Sequence, residues 1–530
     1  MKEGKYKMNQ HLGGRTMKPF ASEIWRSDMD RFKEATEQFY NKELSAKDYK
    51  GISGGYGSYA QRGGESSMLR LRLQGGRITK EKLRFLVHSI EKHRVNKIHF
   101  TTCQTIQYHN LKPAAIYAIM DQALNYGIVT RGGGGDFPRN VMVSPLSGVE
   151  QGEYFDVMPY AEEAGAYLMA FIKTVKLPRK LKVGFTNSDN NATHATFRDL
   201  GFVARPDGKF DVYSAGGLGN NPKLGVKVAE AVEPSKILYY IKAMVKTFVA
   251  YGNYENRGKA RTRYMQDSLG VEEYVQAYQK KLQEVMQEEM NLDIDVTPYE
   301  VKKQPDGVRV VGKRVIPQKQ EGLYAVLYHP IGGTPDPMKL RKIYDLIKDM
   351  DEVELRLSPD EGMYIINCNG SEAEKVLKAT ADSGETLFET SVSCIGASVC
   401  QIGVRDSQGL LQKLVEMERE NGFADGVLPK IHISGCPSSC GTHQIGALGF
   451  HGGVKLIDKV PHPAFTLHIN GCEEKGKEQI GEKVGVMLEE SIPEFLKALG
   501  KTIEAAGTTY EEWIKDHQDT LRQLAEKYLA

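Results

Sequence analysis

Cys394 and Cys400 in SVSCIGASVC, and Cys436 and Cys440 in SGCPSSCGTH, place four thiols in one short region of a chain that has only seven cysteines. Four thiolates so arranged can hold a metal. Structural zinc sites usually set paired ligands two to four residues apart, and the five residues between Cys394 and Cys400 are wide for that. A cubane iron-sulfur cluster also takes four thiolates and accepts wider loops. Spacing therefore favours iron-sulfur, with zinc and an unmetallated group still open. Pro437 removes an amide donor and fixes the turn, while Gly435 and Gly441 let backbone come close to whatever the thiols hold. An odd, sparse cysteine set in a long chain without a secretion signal argues against a disulfide framework. Cys103, Cys368 and Cys472 stand outside the pattern and read as ordinary buried or free thiols.

The elements that must position these thiols belong to a duplicated scaffold. LRLRLQGGRITKEKLRFLVHSI has a counterpart in YAVLYHPIGGTPDPMKLRKIYDLI, with Gly332 lying 257 residues after Gly75. At the same offset KIHFTTCQTIQYHNL falls on ELRLSPDEGMYIINC. Both copies read strand, Gly-Gly turn, helix, strand, short turn, strand, helix. Two copies are too few for a solenoid, so two half-domains paired about a pseudo-two-fold axis are expected, each followed by an α/β lobe. The cysteines fall in the second lobe, and polar helical sequence is expected from about Gly476 to Ala530.

Lys plus Arg (70) nearly balances Asp plus Glu (68). No global field favours nucleic acid or an anionic membrane, and the scattered basic residues do not make an aromatic-rich nucleic-acid face. No apolar run is long enough to span a bilayer. The most apolar stretch, ILYYIKAMVKTFVAYG, sets Lys242 and Lys246 one turn apart on an amphipathic helix. The chain reads as cytoplasmic.

The cysteine pattern, with Cys436 and Cys440 inside GCPSSCG, resembles the cluster motif of the siroheme-dependent sulfite and nitrite reductases. MLRLRLQGG, GDFPRNV, LPRKLK, GGLGNNPKLG and NRGKARTRY stand in that family's order, so the resemblance covers roughly residues 55–460. It implies an α/β (α+β) fold with two ferredoxin-like half-domains and two siroheme-binding lobes. The expected division is an N-terminal arm (1–54), a first half-domain (55–129), a first lobe (130–316), a second half-domain (317–388) and a second lobe with C-terminal helices (389–530).

The resemblance further implies siroheme coupled to a [4Fe-4S] cluster held by Cys394, Cys400, Cys436 and Cys440, with Cys440 also the axial ligand of the siroheme iron. Siroheme carries eight carboxylates and the substrate is an oxyanion. Arg70, Arg139, Lys180 and Lys182 would surround the substrate face, Lys180 and Lys182 projecting to one side of an extended segment. Gln104, Gln107, Asn140, Gly216, Gly217, Gly219 and Arg263 would contact the cofactor. Arg257, Arg261 and Arg263 are expected on one helix. Cys103 departs from the pattern: the family usually has an Arg there that binds siroheme carboxylates, and Arg131 is the candidate substitute.

The implied activity is six-electron reduction of sulfite to sulfide, which Lys182 favours, or of nitrite to ammonia, which CPSSC and LGFHGG favour. No G-x-G-x-x-G stands at a strand-to-helix junction, so electrons are expected from a separate ferredoxin or flavoprotein subunit. A zinc-stabilised α/β enzyme and a non-catalytic siroheme-binding relay are the rival readings.

Overall fold

The computed structural model describes residues 22–530. The expected arm (1–54) therefore lies partly outside the described residues. Its described part contains helices Met29–Tyr40 and Ala46–Ser53, the second started by Ser45, whose hydroxyl accepts from the Asp48 amide.

The duplication is present as read. Strand Ser67–Arg72, helix Lys80–His93, strands Ile98–Phe100 and Thr105–Leu111, and helix Pro113–Leu124 recur as Tyr324–Tyr328, Pro337–Ile347, Glu354–Leu357, Met363–Cys368 and Gly370–Ala379. Even the unusual backbone conformations repeat. Gly75 and Gly332 have φ of 58° and 60°, Gln104 and Glu361 of 53° and 70°, and Asn110 and Asn367 of 58° and 62°. Left-handed φ is uncommon for non-glycine residues, so such matches at one spacing mark a common ancestor fold rather than chance.

The two half-domains are stitched together. Arg77–Ile78, just after the first Gly-Gly turn, pairs antiparallel with Glu354–Leu357 and completes the second half-domain's five-stranded sheet. Glu354 binds Arg77 across this seam (2.9 Å) and Arg356 of its own strand (2.5 Å). Leu71 and Ile106 of one half share a single core with Val326 and Leu355 of the other, so neither half buries its apolar face alone.

Each half-domain leads into a five-stranded sheet of the same topology. In the first lobe Met142–Val143, Val183–Thr186 and Leu200–Ala204 run parallel, followed by antiparallel Phe210–Ser214 and Val226–Val232. In the second, Val392–Ser393, Ile431–Ser434 and Leu448–Ile457 run parallel, followed by antiparallel Val460–Ile469 and Glu482–Leu488. Helices Met158–Ala170 and Ser407–Asn421 make the crossovers that parallel strands require, and each lobe has its own core.

Two local expectations are corrected. The segment from Gly476 is not wholly helical: Glu482–Leu488 forms the sheet's edge strand before the helices Ile492–Ala505 and Gln518–Glu526. Its Glu and Lys reflect solvent exposure at that edge rather than a helical face. Arg257 and Arg263 lie in two separate short turns, because Asn256 caps Gly258 and Arg261 between them is extended (φ −75°, ψ 152°). Helix Ile237–Tyr251 is amphipathic as read, with Lys242 and Lys246 both bound to Glu288. No helix among the described residues is long and apolar enough to cross a membrane.

Candidate active site

The second lobe's parallel strands end at the four cysteines. Cys394 follows Val392–Ser393 and donates its amide to Ile433 O (3.2 Å), which ties it to the strand Ile431–Ser434 that leads to Cys436. Its sulfur lies 3.2 Å from the Gly435 amide and 3.3 Å from Ser407 Oγ. Burial, then the Cys440 sulfur, pushes the Cys394 thiol up to about 12. Burial also raises Cys440, as do Cys436 and Cys400, while Lys180 and Lys182 lower it. Cys440 is solvent-accessible by surface area yet strongly desolvated by the protein around it; both hold for a thiol lining a recess. The loop is braced from the first half-domain: Thr102 Oγ1 donates to Cys440 O (3.0 Å), and Arg62 donates to Gly403 O (2.7 Å).

The opposite wall is cationic. Arg70 and Arg139 both donate to Gly133 O (2.5 and 2.6 Å), and Arg139 also to Gly135 O (2.7 Å). Burial, then Arg70, lowers Arg139 to about 10. With its amide oriented to satisfy both neighbours, Gln107 accepts from Arg70 Nη2 (2.7 Å) and donates to His109 Nε2 (3.2 Å); it aims Arg70. Lys180 and Lys182 flank the buried Leu181, on the extended segment entering Val183–Thr186. Burial lowers both ammonium groups, and Arg261 lowers them further. Asp199, fully buried, fixes this wall: it accepts from the Lys182 amide (2.7 Å), from Arg261 (3.0 Å) and from Thr262.

Some residues expected at the cofactor do other work. The Gln104 amide donates to Val143 O (2.8 Å) and Leu357 O (2.7 Å) and accepts from the Val143 amide (2.9 Å). That clamps the two half-domains to the first lobe. Arg131, the candidate substitute for the arginine missing at Cys103, lies against the N-terminal arm. It is stacked on Tyr56 and Phe137 (4.5 and 4.9 Å) and paired with Asp28 (3.3 Å), so it anchors the N-terminal arm. Asn140 donates to Leu73 O (2.7 Å) and Cys103 O (3.1 Å), holding the Cys103 turn, and its buried Oδ1 has no partner among the described residues.

In the glycine loop, Gly216 packs where a Cβ would lie 2.8 Å from Arg198 O, and Gly217 lies beside Arg263. Gly219 reaches the cysteine loop, with its amide and carbonyl both held by Gln444 (2.7 and 3.0 Å). Arg263 donates to Asn220 O and Asn221 O (2.8 Å to the latter).

Sequence reading missed Arg72, Arg198 and Asp199. Arg72 donates to Arg131 O, Pro138 O and Arg139 O, and burial with Arg139 lowers it to about 9. Arg198 neighbours Cys103. Burial alone would raise the Cys103 thiol, but Lys182 and Arg198 outweigh it and lower it to about 6. Arg72 stands inside MLRLR and was within reach of the motif; ATFRDLG carries no spacing that singles out Arg198.

The donor chemistry fits an anionic cofactor. Among the described residues Arg70, Arg72, Arg139, Lys180, Lys182 and Arg198 have no carboxylate partner, whereas Arg261 pairs with Asp199. Arg139 Nε, Arg261 Nε and Arg263 Nη1 are buried donors without acceptors. Buried charges and donors left unpaired are costly, and a polycarboxylate set between these side chains would satisfy them. Beside them, four thiols provide the ligand number of an iron-sulfur cube.

A four-thiol loop facing a cationic recess on a duplicated α/β scaffold defines a metallo-cofactor oxidoreductase. Comparisons agree. The family model for the nitrite/sulfite reductase ferredoxin-like half domain matches residues 59–126, and that for the nitrite and sulphite reductase 4Fe-4S domain matches 134–286. The latter stretch is the cationic lobe, which contains no cysteine; the thiols come from its duplicate. Over 422 residues the chain is 25% identical to sulfite reductase [ferredoxin] 1 of Mycolicibacterium paratuberculosis, covering 76% of this chain and 73% of that one. It is 27% identical to the chloroplastic ferredoxin–nitrite reductase of Zea mays, covering 73% and 69%. The solved structure of Mycobacterium tuberculosis NirA shares the fold, with a TM-score of 0.76 at 22% identity over 95% of this chain and 98% of that one. Together the two domain matches and these relatives support the siroheme-dependent sulfite and nitrite reductase family for this chain, with siroheme and a [4Fe-4S] cluster as the implied cofactors.

Proposed function

We propose that this enzyme reduces sulfite to sulfide by six electrons, with reduced ferredoxin as donor. The reading rests on the surroundings of the Cys440 thiol, which Cys436 and Cys400 raise and Lys180 and Lys182 lower, so thiols and ammonium groups both act on it. Cys394, Cys400, Cys436 and Cys440 would hold the cluster, and Cys440 would also hold siroheme. When bound, this coupled pair supplies the electrons for cleavage of each S–O bond.

The chain's own residues bind the anion and move protons. Arg70 and Arg139, fixed on Gly133 O, are preorganised donors aimed into the recess. Lys180 and Lys182, whose ammonium pKa values are lowered by burial, release protons to an oxyanion oxygen more readily than exposed lysines do. Arg72, Arg198 and Arg263 add positive charge suited to cofactor carboxylates. The ferredoxin reading follows relatives of both names, each described as ferredoxin-dependent.

Nitrite reduction to ammonia is the second reading. It is favoured by CPSSC and LGFHGG and by relatives named nitrite reductases. The test is an anaerobic titration of the reduced, purified protein with sulfite and separately with nitrite, with product analysis. Siroheme absorption bands that shift with sulfite and yield sulfide support the proposal. Preferential turnover of nitrite replaces it with the second reading, and protein without siroheme bands from siroheme-producing cells overturns both.

A further inference from the structure

Beyond the cysteine loop the chain assembles a second group of metal-ligating side chains. His443 lies in the loop that leaves Cys440, and His451 and His468 lie on the adjacent antiparallel strands Leu448–Ile457 and Val460–Ile469. In their register Gly449 faces His468 and His451 faces Thr466, so the two histidines are diagonal neighbours on one sheet face. His443 is brought onto that face by Gly449: a Cβ there would lie 1.7 Å from His443 O, so only glycine admits the loop.

The three rings form a nearly equilateral triangle, with centroids 4.8, 5.0 and 5.1 Å apart. One nitrogen from each falls within 4.8 Å of the others. A zinc ion at about 2.0–2.1 Å from each ligating nitrogen sits about 3.2 Å from each ring centre, so tetrahedral angles set the centroids about 5.2 Å apart. The observed triangle needs little adjustment to meet that.

We propose that His443, His451 and His468 form a zinc site, separate from the four-cysteine site, that binds Zn2+ through three imidazole nitrogens and leaves a fourth position for water. The donors are ready for it. His443 is 1% exposed and its Nδ1 has no hydrogen-bond partner among the described residues. His451 Nδ1 and His468 Nε2 lie 3.0 Å apart, sharing one proton, and the metal takes that proton's place while His451 carries its proton on Nε2. Nδ1 of His468 faces Gly481 O at 3.5 Å, which turns the Nε2 lone pair inward. Burial keeps all three imidazoles neutral near pH 7, with mutual repulsion and the exposed Lys483 adding to it. His451, the least buried of the three, gives entry from solvent. Since Cys440, His443 and Gln444 share one loop, and Gln444 holds Gly219, bound zinc would brace the wall of the recess.

The test uses the holoenzyme without a histidine tag, dialysed against low-micromolar zinc and then against buffer. Elemental analysis is expected to find zinc at about one per chain beside an unchanged iron content, and the zinc-edge fine structure is expected to show about three imidazoles and no sulfur. His451→Ala is expected to lose the zinc while keeping iron and siroheme absorption. Wild-type protein that takes up no zinc, sulfur in the zinc shell, or full zinc retention by His451→Ala overturns the proposal. Should His451→Ala fail to fold, the wild-type fine structure decides alone.

Discussion

The duplicated scaffold builds the same corner twice, and only one of the two is left open to an anion. In the first, Cys103 stands beside Lys182, just ahead of strand Val183–Thr186. In the second, Asp360, 257 residues after Cys103, meets Lys430 at 2.6 Å, just ahead of the equivalent strand Ile431–Ser434. Arg72 is matched at the same offset by His329, whose Nε2 lies 2.8 Å from Asp360 O and whose imidazole is lowered to about 4 by burial and by Lys430. Glu473 closes the second corner by pairing with His194 at 2.6 Å; burial alone would raise its carboxyl, but His194 holds it well below the usual range. The second corner thus neutralises itself. Among the described residues, Arg70, Arg72, Arg139, Lys180, Lys182 and Arg198 of the first make no ion pair with a carboxylate, and Cys440 of the second lobe lies within reach of Lys180 and Lys182. The backbone sets two equivalent corners, and in the second the carboxylates of Asp360 and Glu473 already pair with Lys430 and His194.

The largest expected effect comes from removing the group that joins the two walls. Cys440→Ser should abolish sulfite-linked turnover and change the siroheme spectrum; full activity would remove Cys440 from the site. Lys182→Met should reduce turnover about 10²–10³-fold, the usual effect of losing one preorganised charge-stabilising donor, and a variant within twofold of wild type would mean Lys182 does not face the substrate. Making the first corner resemble the second is a subtler break. Cys103→Asp would give Lys182 the partner that Lys430 has, and anion binding, followed by spectral titration, should weaken about tenfold.

The reverse change acts on stability. Asp360→Ala removes the nearest carboxylate of half-buried Lys430, leaving Glu473 and Glu361 around it, and should cost about 1–3 kcal/mol in denaturant unfolding while the folded fraction keeps its turnover; an unchanged midpoint would mean the pair is not what closes the second corner. A further effect is the pH dependence of the cofactor-free protein. The folded Cys103 thiol, at about 6, lies below its unfolded value near 9.0. Its contribution to stability is therefore present above pH 9 and fades as the pH falls through 6. Cys103→Ala should flatten the stability profile across that window, and an identical slope in both proteins would contradict the lowered thiol.

Sequence alone determined what depends on order along the chain. The 257-residue repeat, the α/β alternation and the thiol spacing are local patterns, set by periodicity and turn residues, and they were legible without a structure. MLRLR and LPRKLK marked Arg70, Lys180 and Lys182 as candidates, and the structure brings them to one wall with Arg139. What the tertiary structure decided is which polar groups still have a free valence. Gln104 and Arg131 are cofactor candidates by sequence; packing adds that the Gln104 amide bonds Val143 and Leu357 and that the Arg131 guanidinium pairs with Asp28. Arg198 joins the recess through a fold contact no spacing announces, and His443, His451 and His468 converge because a strand register and one glycine place them together. A side chain's type is written in the sequence; whether its charge is already compensated depends on neighbours tens or hundreds of residues away.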